Sequence, residues 1–135
     1  MEVSNARPQT MAGPNHWFTG QVWLDVICNA AQSPGRIQAL AVHFAPGART
    51  AWHRHETGQI IHVTEGVGRA QSRDGLVREI RAGDTVSFAP GEWHWHGAAP
   101  DRFMAHTAIQ VVAEGHEPAE WANHVSDEEY DSLPD

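Results

Sequence analysis

The chain has 135 residues, 41% of them hydrophobic, and a formal net charge of −8 with histidine neutral. That is one domain able to bury a core, and an acidic balance with no Lys/Arg run argues against nucleic acid or an anionic membrane as principal partner. A single cysteine, Cys28, excludes an internal disulfide; with no secretory signal and no run near the ~18 apolar residues of a spanning helix, the expectation is a cytoplasmic domain.

Residues 1–15 are polar, carry Pro8 and Pro14, and read as an N-terminal arm. From Trp17 to Cys28 aromatic and β-branched residues dominate, which predicts one or two strands kinked near Gly20. After a loop over Ala30–Gly35 the run RIQALAVHFAPG alternates until Pro46–Gly47 turns it. Leu40, Val42 and Phe44 share one face of it, and Ala39, Ala41 and His43 the other. Gly66–Arg73 reads as a short strand, Asp74–Gly75 as a two-residue hairpin turn and Leu76–Arg81 as the return. Thr85–Phe88 is a further strand after the Ala82–Gly83–Asp84 turn, and Pro90–Gly91 turns the chain into HWHG. In RFMAHTAIQVV, Met104, His106, Ala108 and Gln110 share one face. Only residues 116–135 look helical, with Trp121 and Val125 able to pack down and Ser126-Asp-Glu-Glu129 in the form of a capping box. Short strands with turn signals every eight to twelve residues predict an all-β domain: a closed-walled barrel over 16–115 with the tail packed on it. Small barrels of this kind bind ligands in the mouth or interior.

Ten histidines against nine Lys plus Arg is the unusual figure in the composition. His53 and His55 stand at i and i+2, and on a strand such side chains point to one face. They offer two imidazoles to one side, as a metal ion inside a barrel requires. Gln59 keeps the same parity and reaches the same centre if the strand continues across a bend at Gly58. His94 follows the turn at Gly91, and His96 has its parity. Three imidazoles and one amide oxygen leave two positions of an octahedral ion free for water or substrate. His16, His43, His62, His116 and His124 read as surface or structural residues.

The spacing Gly47, five residues, His53-X-His55, three residues, Gln59, six residues, Gly66 resembles the first cupin motif at every interval. Gly83, Pro90, Gly91 and His94 match the second motif, with sixteen residues between Gly66 and Gly83. Three departures are visible: Pro90 abuts Gly91, Ala98 stands where the pattern has Asn, and Gln59 replaces the usual Glu. The resemblance implies a cupin barrel, double-stranded β-helix and jelly-roll-like, with a short C-terminal helical tail. The set His53, His55, Gln59 and His94, flanked by ARTAWH, SFAPGEWHWHGAAP and HTAIQ, is similar to the small bacterial cupins that are manganese-dependent hydroxynitrile lyases. The similarity runs from about Trp17 to Gln110 and resumes around Trp121–Tyr130. It implies a divalent metal on those four residues, Mn²⁺ first; imidazole nitrogens also suit Fe²⁺, Ni²⁺ or Zn²⁺. It also implies an oligomer, and reversible cleavage of a cyanohydrin, a small-molecule substrate, to an aldehyde and hydrogen cyanide. Apolar residues at outward parity (Trp23 against Leu24, Phe103 against Met104) point to a homodimer or homotetramer.

That chemistry needs the hydroxyl deprotonated and the departing cyanide stabilised, then protonated. A divalent ion lowers the pKa of a hydroxyl by Lewis acidity. A neutral amide in place of a carboxylate leaves such an ion its full charge and disfavours redox cycling, which favours a lyase over a dioxygenase. His106, at inward parity, is the first candidate base, with the ordinary imidazole pKa of ~6.5. His96 is the second. Gln110 can hydrogen-bond substrate or cyanide, and Leu40, Val42, Phe44 and Trp95 are the expected pocket walls. The competing functions are a dioxygenase or sugar-type isomerase on the same barrel, or a small-molecule sensor without turnover.

Overall fold

Alternation of apolar and polar residues becomes sheet through most of this computed structural model, which describes residues 1–5 and 7–133. Ala6, within the expected arm, and Pro134 and Asp135, at the end of the expected tail, lie outside the described residues. The strands in chain order are β1 (Met11–Ala12), β2 (Phe18–Thr19), β3 (Val22–Cys28), β4 (Ile37–Phe44), β5 (Arg49–Thr50) and β6 (His53–Arg54). Then follow β7 (Gln59–Ser72), β8 (Arg78–Arg81), β9 (Thr85–Phe88), β10 (His94–Ala98), β11 (Met104–Val111) and β12 (Glu120–Trp121). A single helical turn, α1 (Asp127–Tyr130), ends the described chain.

All the pairings are antiparallel, in the order β1-β3-β4-β11-β7-β10-β5-β2, with β6 and β12 reached from β10. The pivot is β7. Its first half pairs β11 and β9 and its second half pairs β10 and β8, so one strand belongs to both walls. It bends where Gly66 adopts φ +79°, a position at which a Cβ would lie 2.0 Å from the Phe103 carbonyl oxygen. A bulge adjoins the bend, since Ala105 faces Glu65 while His106 faces Val63. A new strand at Gly66 and closed walls, the expectation from the sequence, are not what forms. Instead β7 runs through the bend, and the wall is a curled sheet ending at β1 and β2. Both β8 and β9 pair with β7 but not with each other among the described residues.

The Pro–Gly turns form as expected. Gly47 and Gly91 take φ +79° and +75°, with Ala48 N–H bonded to the Ala45 carbonyl at 2.9 Å and Glu92 N–H to that of Ala89 at 3.1 Å. The Asp74–Gly75 turn differs. Ala70 faces Arg78, one residue off the register of a two-residue hairpin, and Gly75 lacks the positive φ of a type I′ turn.

The inward faces of β3, β4, β7 and β11 meet in a core that includes Leu24, Phe44, Ile61, Val63 and Met104. Each such side chain contributes roughly 1.5–3 kcal/mol by leaving water. A second cluster of Trp52, Val77, Trp95, Val125 and Tyr130 lies beneath the C-terminal segment. That segment corrects the expectation of a helical tail over 116–135. Before α1 it is extended, and β12 pairs β6 with Glu120 facing Arg54 and Trp121 facing His53. Pro118 and the absence of a 3.6-residue apolar stripe leave nothing to hold a longer helix. The capping box does form: Glu129 N–H bonds the Ser126 hydroxyl at 3.1 Å and Ser126 N–H the Glu129 carboxylate at 3.0 Å. Tyr130 fastens the far end, its hydroxyl donating to the Ala98 carbonyl at 2.6 Å and its ring covered by the Arg49 and Arg69 guanidiniums. No helix among the described residues is long and apolar enough to cross a membrane.

Candidate metal centre and apolar pocket

Two strands bring the histidines face to face. On β10, His94 lies opposite His53 of β6, and His96 follows at the same parity. Between β6 and β7 the chain turns at Gly58, with φ +82° and a would-be Cβ 2.7 Å from the Phe88 carbonyl oxygen. That turn returns Gln59 to the side of His53 and His55. The ring centroids of His53 lie 4.3 Å from His94, 5.0 Å from His55 and 5.2 Å from His96.

The hydrogen bonds sort the nitrogens. Nδ1 of His53, His55 and His94 is bonded to the carbonyls of Ala51 (2.9 Å), Pro118 (2.8 Å) and Glu92 (2.8 Å). A carbonyl only accepts, so each Nδ1 carries the proton and each Nε2 keeps its lone pair. Nε2 of His55 and His94, together with Gln59 Oε1, is buried without a hydrogen-bond partner among the described residues. Unpaired acceptors this deep are costly alone, and they are the atoms a cation would satisfy. His53, His94 and His96 also bring one ring nitrogen each to within 4.8 Å of one another. That trio of buried imidazoles fits a metal ion; it does not include His55, whose orphaned Nε2 and the neutral amide oxygen of Gln59 are the further candidate ligand atoms.

His96 differs from the other three. Its Nδ1 meets His106 Nε2 at 3.0 Å, and the outer atoms of this pair, His96 Nε2 and His106 Nδ1, have no other partner among the described residues. Burial pushes His94 and His106 down to about 3 and lowers His53, His55 and His96 as well, neighbouring imidazoles adding to the effect at His53 and His96. All five are neutral at neutral pH. The ordinary value expected for His106 does not survive its burial.

Beside this cluster opens a cavity of about 300 Å³. Leu40, Val42 and Phe44 line one wall of it, and His53, His55, Gln59, His96, His106 and Gln110 reach it. Trp95 does not. The alternation that turns His94 and His96 inward turns Trp95 outward, where it is fully buried against the tail with its Nε1 donating to Gln71 at 2.8 Å. The opposite wall, made by Trp17, Phe18 and Trp121, lies outside the residues expected from the sequence. Trp121 stacks on His53 at 4.6 Å and on Trp17 at 5.1 Å.

A cupin-domain family model matches residues 40–106. Curled sheet, pivot strand and histidine cluster agree with that match, and the chain belongs to the cupin family. Over 131 residues, 96% of this chain and 98% of the other, it is 47% identical to the (R)-mandelonitrile lyase of Granulicella tundricola. The crystal structure of a cupin-like protein from Thermotoga maritima superposes with a TM-score of 0.85 at 38% identity, covering 98% of both chains. The polyketide cyclase RemF of Streptomyces resistomycificus, at 18% identity, TM-score 0.72 and coverage of 96% and 91%, shares the fold.

Proposed function

We propose that this protein is a metal-dependent hydroxynitrile lyase that cleaves aromatic cyanohydrins to aldehyde and hydrogen cyanide and forms them in reverse. One observation carries the reading: a neutral, buried pair of imidazoles stands beside a set of unpaired metal-ligand atoms at the polar end of an otherwise apolar pocket. The full-length similarity to a mandelonitrile lyase supports it.

His53, His55, Gln59 and His94 would hold the ion, and Mn²⁺ is the ion proposed. The backbone carbonyls on three of these side chains fix their tautomers, as outer partners of ligating histidines do. His96 has no such anchor and is assigned to the proton-carrying pair instead. When bound, the metal supplies Lewis acidity for the substrate hydroxyl and a positive field for the departing cyanide.

The chain's own residues do the rest. Whichever ring donates in the His96–His106 hydrogen bond, a neutral pair presents one lone pair and one N–H at its outer nitrogens. The hydroxyl proton passes to the lone pair as the bond to cyanide breaks. The N–H at the other end protonates cyanide, and transfer along the inner hydrogen bond leaves the pair neutral with its tautomers exchanged. Leu40, Val42, Phe44 and Trp121 wall the space for the substrate's aromatic ring and exclude water from it.

The test is direct: Mn²⁺-supplemented protein should release benzaldehyde from mandelonitrile and add cyanide to benzaldehyde. Failure in both directions contradicts the lyase reading. A homodimeric or homotetrameric assembly and a cytoplasmic location belong to the same proposal.

A further inference from the structure

We infer that Gln110 is a positioning residue: anchored on the Pro118 carbonyl of the C-terminal segment, it fixes the Gln59 amide with its oxygen toward the histidine cluster. The carbonyl of Pro118 receives two hydrogen bonds, from His55 Nδ1 and from Gln110 Nε2, each at 2.8 Å. Because a carbonyl oxygen can only accept, Gln110 must give it the amide nitrogen. Its Oε1 then lies on the other side, 3.0 Å from Gln59 Nε2. An oxygen at that point demands a donor, so Gln59 turns its NH₂ to Gln110 and its Oε1 away, where it is buried without a partner among the described residues. Reversing either amide brings like groups together. The same carbonyl sets the His55 tautomer, so one backbone oxygen orders two of the four proposed ligand atoms.

This changes the role expected for Gln110 at the substrate. Its Oε1 is taken by Gln59 and one of its two N–H groups by Pro118. The segment that carries the Pro118 carbonyl is held from outside the site. Glu120 pairs with Arg54 at 2.8 Å, Ala122 N–H bonds the Trp52 carbonyl at 2.8 Å, and Tyr130 is locked on Ala98. The C-terminal segment is thereby part of the metal site although it supplies no ligand.

The inference rests on the metal site proposed above and not on the cyanohydrin chemistry; ion binding read without substrate keeps the two apart. Chelator-stripped protein is titrated with Mn²⁺ and the free ion followed by electron paramagnetic resonance. Gln110→Met keeps the volume and removes the amide, and should raise Kd about 10–100-fold, as loss of a ligand's outer partner does. In a Gln59→Glu background both carboxylate oxygens accept, leaving no amide to orient. There the Gln110 oxygen faces a carboxylate as a like group, so the same substitution should leave Kd unchanged or lower it. Gln110→Ala is read in the same way where Gln110→Met does not fold. An equal loss in both backgrounds, no loss in the Gln59 background, or no uptake of Mn²⁺ by the wild-type chain overturns the inference.

Discussion

His106 is fully buried, its Nε2 held 3.0 Å from His96, and its pKa pushed down to about 3, chiefly by desolvation. An imidazole of that kind is neutral throughout the working range and, in the proposed role, is a weak base that gives its proton back readily. His106→Ala should therefore lower mandelonitrile turnover ~10²–10⁴-fold, the usual contribution of acid–base catalysis, with metal content unchanged. Wild-type turnover in that variant, with metal analysis alongside, would remove His106 from the mechanism. Burial also makes a prediction for the metal-free fold. Unfolded histidines take a proton near pH ~6.5, while His94 and His106 in the folded chain do so only near 3. Between those values the unfolded state binds more protons, so stability falls as pH falls. Full stability is present above the unfolded value, and the loss is roughly 1.4 kcal/mol per pH unit for each histidine. Urea midpoints of metal-free protein should drop from pH 7 to pH 5; equal midpoints would contradict the burial argument.

The C-terminal segment is the element whose role the sequence hid. Trp121 reaches the pocket by pairing β12 with β6, where it stacks on His53 and Trp17. Trp121→Ala should raise KM for an aromatic cyanohydrin about tenfold while leaving kcat nearly unchanged, because one aromatic contact is worth ~0.5–1.5 kcal/mol beyond its area. Steady-state kinetics would decide, and a drop in kcat alone would place Trp121 elsewhere in the mechanism. The histidines could be read from the chain because i, i+2 parity needs only a strand, and His53 and His94 indeed lie across from each other. The same parity, applied to HWHG, would have sent Trp95 outward, away from the walls where it was expected. Trp17, Phe18 and the Pro118 carbonyl were not legible, because a tail folding back across the pocket leaves no local period. In the sequence the bend at Gly66 looks the same as a strand end, because a glycine ahead of a turn fits both; the bulge opposite Ala105–His106 is a property of the pairing, not of either strand.

On the whole molecule, one end of the outer face of the β4–β11–β7 wall is apolar, while His43, His62 and Thr64 make the rest polar. Ile37 faces Val111, Ile109 faces Ile60, and all four are between 41% and 47% exposed. An apolar cross-strand patch of this kind fits burial against a second copy of the chain. Sedimentation should find the wild-type protein at least dimeric and Ile109→Glu monomeric; a monomeric wild type at micromolar concentration would contradict the proposed assembly. The proposed assembly is separable from the proposed chemistry, which needs only the ion and the imidazole pair within one chain. The most direct measurement is a titration of chelator-stripped protein with Mn²⁺ while mandelonitrile cleavage is followed. The account predicts negligible turnover without metal, a linear rise, and a plateau at one ion per chain. Turnover indifferent to added metal, or none with the site filled, would contradict it.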